Sequence, residues 1–334
     1  MTHAVNRIRR GAFSILVLML TCLGALMGGC AGPRPGTPLK RSGDEIVICG
    51  QLFHTGAPVV LWLDHKGYDA YRVECRFATD RRMPANPVND SGPNRYDSFR
   101  RHLSEEDAAQ VRADGWSLPL LQKYVDLFVL HYDVCGTSRR CFDVLHDQRG
   151  LSVHFMLDLD GTIYQTLDVK ERAWHAGTAN DRSVGVEIAN MGAYEEASKL
   201  DAWYPRDASG RVTMAPPLTG GATGLRTPGF VATPARGEIV RGRINGRDLN
   251  QYDLTDAQYA SLIRLTATLC NALPRIQCAA PRDADGAIRD GLLAGDELNA
   301  FSGILGHYHV SKTKVDPGPA FDWSRLLEGV RRCR

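Results

Sequence analysis

The sequence predicts a mixed α/β domain, and three observations predict it. Leu127 to Leu130 is apolar on both faces and leads into His131, the pattern of a strand buried in the middle of a sheet. Val184, Val186 and Ile188 alternate with Gly185 and Glu187, the period of a strand with two unlike faces. Thr255 and Gln258 have capping-box spacing, ahead of an apolar stripe of Tyr259, Leu262, Ile263, Leu269 and Leu273 that Pro274 stops. Strand and helix signals of this kind, alternating along one chain, call for a mixed α/β domain.

The first residues read differently. Arg7, Arg9 and Arg10 precede an apolar run from Ala12 to Met27, which meets Gly28, Gly29 and Cys30. Residues 1–29 therefore read as a signal peptide of the lipoprotein type, with Cys30 as the residue cleaved to the N-terminus and acylated. An ordinary signal peptide with an incidental cysteine is the alternative. Residues 30–43, with Pro33, Pro35 and Pro38, then form a stiff tether. The expected location is the periplasm, lipid-anchored to a membrane, the outer membrane in a diderm host.

Residues 44–115 form an accessory segment, with β-like runs at Ile46–Ile48 and Val59–Leu63 and a Pro/Asn/Asp/Gly-rich loop around 83–95. Ser104 and Asp107 then open a helix through Val111. The catalytic domain is expected over 116–334. Within it Val153–Leu157 and Thr162–Tyr164 flank Asp160-Gly161, a hairpin around a tight turn. An insertion over about 191–252, rich in Gly, Pro, Arg and Thr, is too long for a structural connection, so it is read as a functional flap or a partly disordered stretch.

Composition narrows the partner. The chain has 334 residues and is 43% hydrophobic, enough for one sizeable core or two small ones. Its 40 basic and 38 acidic residues nearly cancel and form no long run of one sign, so no nucleic-acid partner is expected. Export to an oxidising compartment leaves seven cysteines once Cys22 is removed and Cys30 modified. Nearest neighbours in sequence favour bridges Cys135–Cys141, Cys270–Cys278 and Cys49–Cys75 with Cys333 left over, although spacing does not fix connectivity. No pair has the CxxC spacing of a thiolate zinc site.

Three candidate metal ligands stand out: His131 at a strand end, His307 after Gly306, and Asp316 in Lys314-Val-Asp-Pro-Gly-Pro319. Two imidazoles and a carboxylate leave one position of a tetrahedral zinc open. The same trio can hold iron in an oxygenase, so residue type alone does not choose the metal. Sequence distance does not establish convergence either. His154 reads as structural, and His309 as a decoy beside His307.

Six motifs occur in order: Phe128-Val-Leu-His-Tyr132, Ser152-Val-His-Phe155, Asp160-Gly-Thr-Ile-Tyr-Gln165, Arg172-Ala-Trp-His-Ala-Gly177, Ser183-Val-Gly-Val-Glu-Ile188 and Lys314-Val-Asp-Pro-Gly-Pro319. The set resembles the type 2 N-acetylmuramoyl-L-alanine amidases, AmpD-like enzymes related to the animal peptidoglycan recognition proteins, over about residues 125–323. The resemblance implies that family's fold, a mixed central β-sheet flanked by helices, here with an N-terminal β-rich extension and a long insertion. It implies zinc held by His131, His307 and Asp316, a catalytic pair Glu187 and Lys314, and a substrate groove at Trp174, His175 and Asn180. It also implies peptidoglycan or muropeptides as substrate, cut between muramic acid and L-alanine.

Amide hydrolysis needs a nucleophile, oxyanion stabilisation and a proton for the leaving nitrogen. The resemblance assigns these to a zinc-activated water, to zinc with Lys314, and to Glu187. Glu187 shares its strand face with small Gly185, which suggested room for substrate there. Some relatives carry a catalytic tyrosine where this chain has Val153, a departure that strengthens the assignment to Glu187. The gap between Cys135 and Cys141 is similar to a disulfide loop of the recognition proteins. A non-catalytic peptidoglycan-binding module of the same fold is the alternative reading; the complete ligand set argues against it.

Overall fold

The computed structural model describes residues 34–77, 95–216, 218 and 221–334. The signal segment, Cys30 and all but the end of the 83–95 loop lie outside the described residues. In chain order the elements are β1 (Glu45–Ile48), β2 (Gln51–His54), β3 (Val59–Leu61), β4 (Tyr96–Asp97), α1 (Glu105–Asp114), α2 (Leu118–Tyr124), β5 (Leu127–Tyr132) and α3 (Ser138–Phe142). They continue with β6 (Phe155–Leu157), β7 (Ile163–Gln165), β8 (Arg172–Ala173), β9 (Ser183–Ile188), β10 (Val240–Ile244), β11 (Arg247–Gln251) and α4 (Asp256–Ala272). The last are α5 (Gly295–Ala300), β12 (Gly303–Gly306), α6 (His307–Val310) and α7 (Trp323–Cys333).

Six strands form the central sheet in the order β12-β5-β9-β6-β7-β3. All neighbours run parallel except the β6–β7 hairpin, so the sheet is mixed, as expected. The neighbouring strands β5 and β9 pair Leu127 with Ser183, Val129 with Gly185 and His131 with Glu187. Residues opposite each other in parallel strands point to the same side, so the sheet has two distinct faces there. Phe128, Leu130, Val184, Val186 and Ile188 go to one face, into the main core with Leu262, Leu265 and Leu269 of α4 and Leu326 and Leu327 of α7. Leu127 and Val129 go to the other, with Ala176, Leu293 and Leu305, and at its edge sits the site.

The local signals worked where they were short-range. Ser104 Oγ accepts the Asp107 amide at 3.1 Å and opens α1, which runs past the expected Val111 to Asp114. The capping box is formed: Gln258 N donates to Thr255 Oγ1 at 3.1 Å, and Thr255 N donates to Gln258 Oε1 at 2.9 Å. The α3 helix, the wide helical turns Asp143–Gln148 that follow it, and α7 carried no signal that was read from sequence.

Residues 44–115, expected as an accessory segment beside a domain starting at 116, are built into the same unit. Residues 42–334 form one compact unit, and residues 34–41 before it hold a turn between Arg34 and Thr37. Strand β3 adds to the sheet edge by pairing Val60 with Tyr164. The Gln165 carboxamide pairs with both backbone groups of Val47, at 2.7 and 2.8 Å, and so ties the β1–β2 hairpin to β7. The side chain of Arg100, 2% exposed, donates to the carbonyls of Val169, Glu171, Asn180, Asp181 and Ser183.

The described part of the 191–252 insertion is packed. Met191, Leu200, Tyr204, Val212, Met214, Ala232 and Tyr252 make a satellite core with Leu159, and β10–β11 is an antiparallel hairpin. Among the described residues no helix is long and apolar enough to cross a membrane.

The seven described cysteines are free thiols, so none of the three expected bridges is present. The Cys135 and Cys141 thiols contact each other. Cys49 lies beside Asp168, whereas the Cys75 thiol donates to the Asp147 carbonyl at 3.6 Å, so those two serve different neighbourhoods. The Cys278 thiol donates to the Leu327 carbonyl.

Candidate metal centre and groove

Three strand and loop ends build the site. His131 is the penultimate residue of β5, and His307 follows β12, which pairs with β5 as its other neighbour. Asp316 is carried back to them by the loop after α6, where its carbonyl accepts the Tyr308 amide at 3.2 Å. Gly306 permits that return: a Cβ there would lie 2.7 Å from both Pro317 Cδ and Tyr308 Cε1. The result is a buried cluster in which His131 Nδ1, His307 Nδ1 and Asp316 Oδ2 are pairwise 3.0 Å apart.

The cluster fits zinc by its own dimensions. Two imidazole nitrogens and a carboxylate oxygen at that spacing are a donor set that would hold zinc and leave a coordination position for water. Burial and the nearby His307 push the His131 imidazole down to about 4, against the pull of Asp316, which favours the neutral ring that ligation needs. Burial alone would raise Asp316, but its contacts with His131 and His307 hold it below the usual carboxylate range. His309 is not a ligand: its Nδ1 accepts the Gly306 amide and its Nε2 donates to the Arg289 carbonyl. His154 is likewise structural, accepting from Gly185 N at Nδ1 and donating to the Glu171 carbonyl at Nε2.

Glu187 is paired in register with His131 and projects from the same face. Its Oε2 is buried without a hydrogen-bond partner among the described residues. Burial first, then the charges of Asp316 and Asp133, raise its carboxyl well above the usual range, while Lys314 pulls the other way. Lys314 itself is exposed on the rim. It lines a cavity of about 590 Å³ together with Arg101, Trp174, His175, Asn180 and His307.

The residues expected to contact substrate do more inside the fold than the sequence indicated. Trp174 is buried and its indole donates to Asp97 Oδ2 at 3.0 Å. The Asn180 carboxamide oxygen accepts the amides of His175 and Ala176, bracing the turn. His175 lies against this buried cluster, its Nδ1 3.0 Å from His131 Nε2. The space over Gly185, read from sequence as room for substrate, is filled by the His175 ring: a Cβ there would lie 2.5 Å from it. A glycine in a strand otherwise rich in valine and isoleucine is a signal of such close approach. Arg100 and Arg101, which reach this region from the N-terminal segment, were missed because nothing local marks them.

A family model described as N-acetylmuramoyl-L-alanine amidase matches residues 121–319, more than half of the chain. The 1,6-anhydro-N-acetylmuramyl-L-alanine amidase AmpD of Haemophilus influenzae is 24% identical over 185 residues, covering 55% of this chain and 61% of that protein. The protein of the same name from Enterobacter cloacae is 25% identical over 185 residues, 53% and 55% respectively. The chain thus spans less than two thirds of the length of the curated relatives it matches. Among solved structures, an AmpD crystal structure has 19% identity and a TM-score of 0.31, covering 62% of this chain and 86% of that one. AmiD from E. coli, solved with anhydro-N-acetylmuramic acid-L-Ala-D-gamma-Glu-L-Lys, has 18% identity and a TM-score of 0.34, covering 62% and 57%.

Proposed function

Because the chain belongs to the N-acetylmuramoyl-L-alanine amidase family, matched over residues 121–319, we propose that it is a zinc-dependent amidase of peptidoglycan fragments. It hydrolyses the amide between the lactyl group of muramic acid and L-alanine. The observation that carries this is the convergence of His131, His307 and Asp316, separated by up to 185 residues, with Glu187 beside them on the same sheet face.

Zinc, when bound by the trio, supplies a Lewis acid and an acidified water at neutral pH. Glu187 takes the proton of the attacking water and delivers it to the leaving alanine nitrogen. Its raised proton affinity suits the second task, because burial and the Asp316 charge make the carboxyl hold the water's proton until the leaving nitrogen takes it. Lys314, on the rim beside the site, stabilises the negative charge that develops on the lactyl carbonyl oxygen. The groove that includes Arg101, Trp174 and Thr178 holds the rest of the muropeptide.

The test is incubation of the purified zinc-loaded protein with muropeptides, followed by mass spectrometry. Release of free stem peptide is expected, and muropeptides left intact after prolonged incubation would refute the amidase reading. Glu187→Ala is expected to keep its zinc and lose roughly 10²–10⁴-fold in turnover. We further propose delivery to the periplasm with a lipid anchor at Cys30, read from the lipobox-like residues Gly28 and Gly29 before it. Cys30→Ala should move the protein from the membrane fraction to the soluble one.

A further inference from the structure

We propose that His175 is a positioning residue for the metal ligand His131, braced from behind by Ser183 and seated by the missing side chain of Gly185; this rests on the zinc reading above. The protons follow from the geometry. His131 turns Nδ1 toward His307 and Asp316, so as a neutral ligand it carries its proton on Nε2. That N–H points at His175 Nδ1, 3.0 Å away, which must therefore accept. His175 then carries its own proton on Nε2, where it donates to Ser183 Oγ at 3.1 Å. Each link fixes the tautomer of the one before it.

Strand β9 supplies this arrangement by alternation. Ser183, Gly185 and Glu187 occupy successive positions on the site face, opposite Leu127, Val129 and His131. Ser183 is the brace, Glu187 faces the reaction, and Gly185 between them is the gap. An alanine methyl there would sit 2.5 Å from the His175 Cε1 and Nδ1 atoms, so the ring could not keep its place. The two imidazoles meet nearly edge to face, at 82°, which leaves His131 no freedom to rotate without breaking the contact. Asn180, holding the amides of His175 and Ala176, keeps the backbone from yielding.

Zinc affinity, measured on the whole purified chain by competition with a chromophoric chelator, tests the proposal. His131→Ala comes first, as the control for the site. Wild type that binds no zinc, or His131→Ala that binds it as wild type does, overturns the zinc reading and this inference with it. Given wild-type binding lost in His131→Ala, His175→Leu should weaken affinity about 10–100-fold. His175→Asn should restore most of that loss, since its Oδ1 can accept in place of Nδ1. Gly185→Ala, which removes no polar group, should weaken binding in the same direction, and Ser183→Ala to a lesser degree. Circular dichroism of the metal-free variants identifies any that fail to fold, and Ser183→Ala, the mildest change, remains informative if others do. Equal affinity in His175→Leu, or an Asn variant as weak as the Leu variant, overturns the proposal: the first shows no coupling, the second mere packing.

Discussion

Asp158 shows what a single buried carboxyl does to this fold. It sits at the end of β6, fully buried, with Oδ1 accepting the amides of Leu159 at 3.0 Å and Ser138 at 3.2 Å. Burial pushes its carboxyl up to about 8 from the ordinary 3.8, against those two amides. The folded chain therefore binds this proton more tightly than the unfolded chain does between those values. Stability present below about pH 4 is lost as the pH rises toward about 8. Asp158→Asn keeps the accepting oxygen and cannot ionise. Its melting temperature should decline less than that of wild type between pH 4 and 8; parallel curves would show that Asp158 does not titrate in this window. At this same scale His131, His307 and Asp316 stood out as candidate ligands by residue type, while Glu187 and Lys314 came as candidates only through the motifs of the family resemblance. The coupling of His175 to His131 was not legible, since a hydrogen bond between residues 44 apart has no local pattern.

At the scale of elements, α4 is held at its start by more than its own capping box. Thr255 Oγ1 accepts the Gln258 amide and also donates to the Leu159 carbonyl at 2.7 Å, joining the helix to the β6–β7 turn. Thr255→Ala loses both, and should cost about 1–2 kcal/mol, the upper range for an N-cap, read as a lowered midpoint in urea with an unchanged slope. A midpoint equal to wild type would mean that solvent replaces both bonds. Elements with a strong period or a cap, such as β5, β9, α1 and α4, could be read in advance. Short segments without such a signal, such as β4, β8 and α5, could not, because neighbours distant in sequence decide whether they order.

For the whole molecule, the decisive fact is that the N-terminal segment is structural. Arg100 donates to five carbonyls around β8 and β9, and burial lowers its guanidinium only to about 10, so it is charged at neutral pH. Arg100→Met strands those carbonyls, and a loss of at least about 3 kcal/mol is expected from removing a buried charged donor whose partners cannot follow. Chemical denaturation checks this; a variant as stable as wild type would mean that the carbonyls find water. The sequence by itself determined the mixed α/β class, the two faces of β9, the capped helices and the chemical types at the site, because each depends on neighbours a few residues away. Only the tertiary structure decided that His131, His307 and Asp316 meet at 3.0 Å, that the gap at Gly185 seats His175, and that residues 44–115 complete the sheet. These are contacts across 9 to 185 residues, and a contact of that kind is set by how layers pack and strands register, which no local pattern encodes.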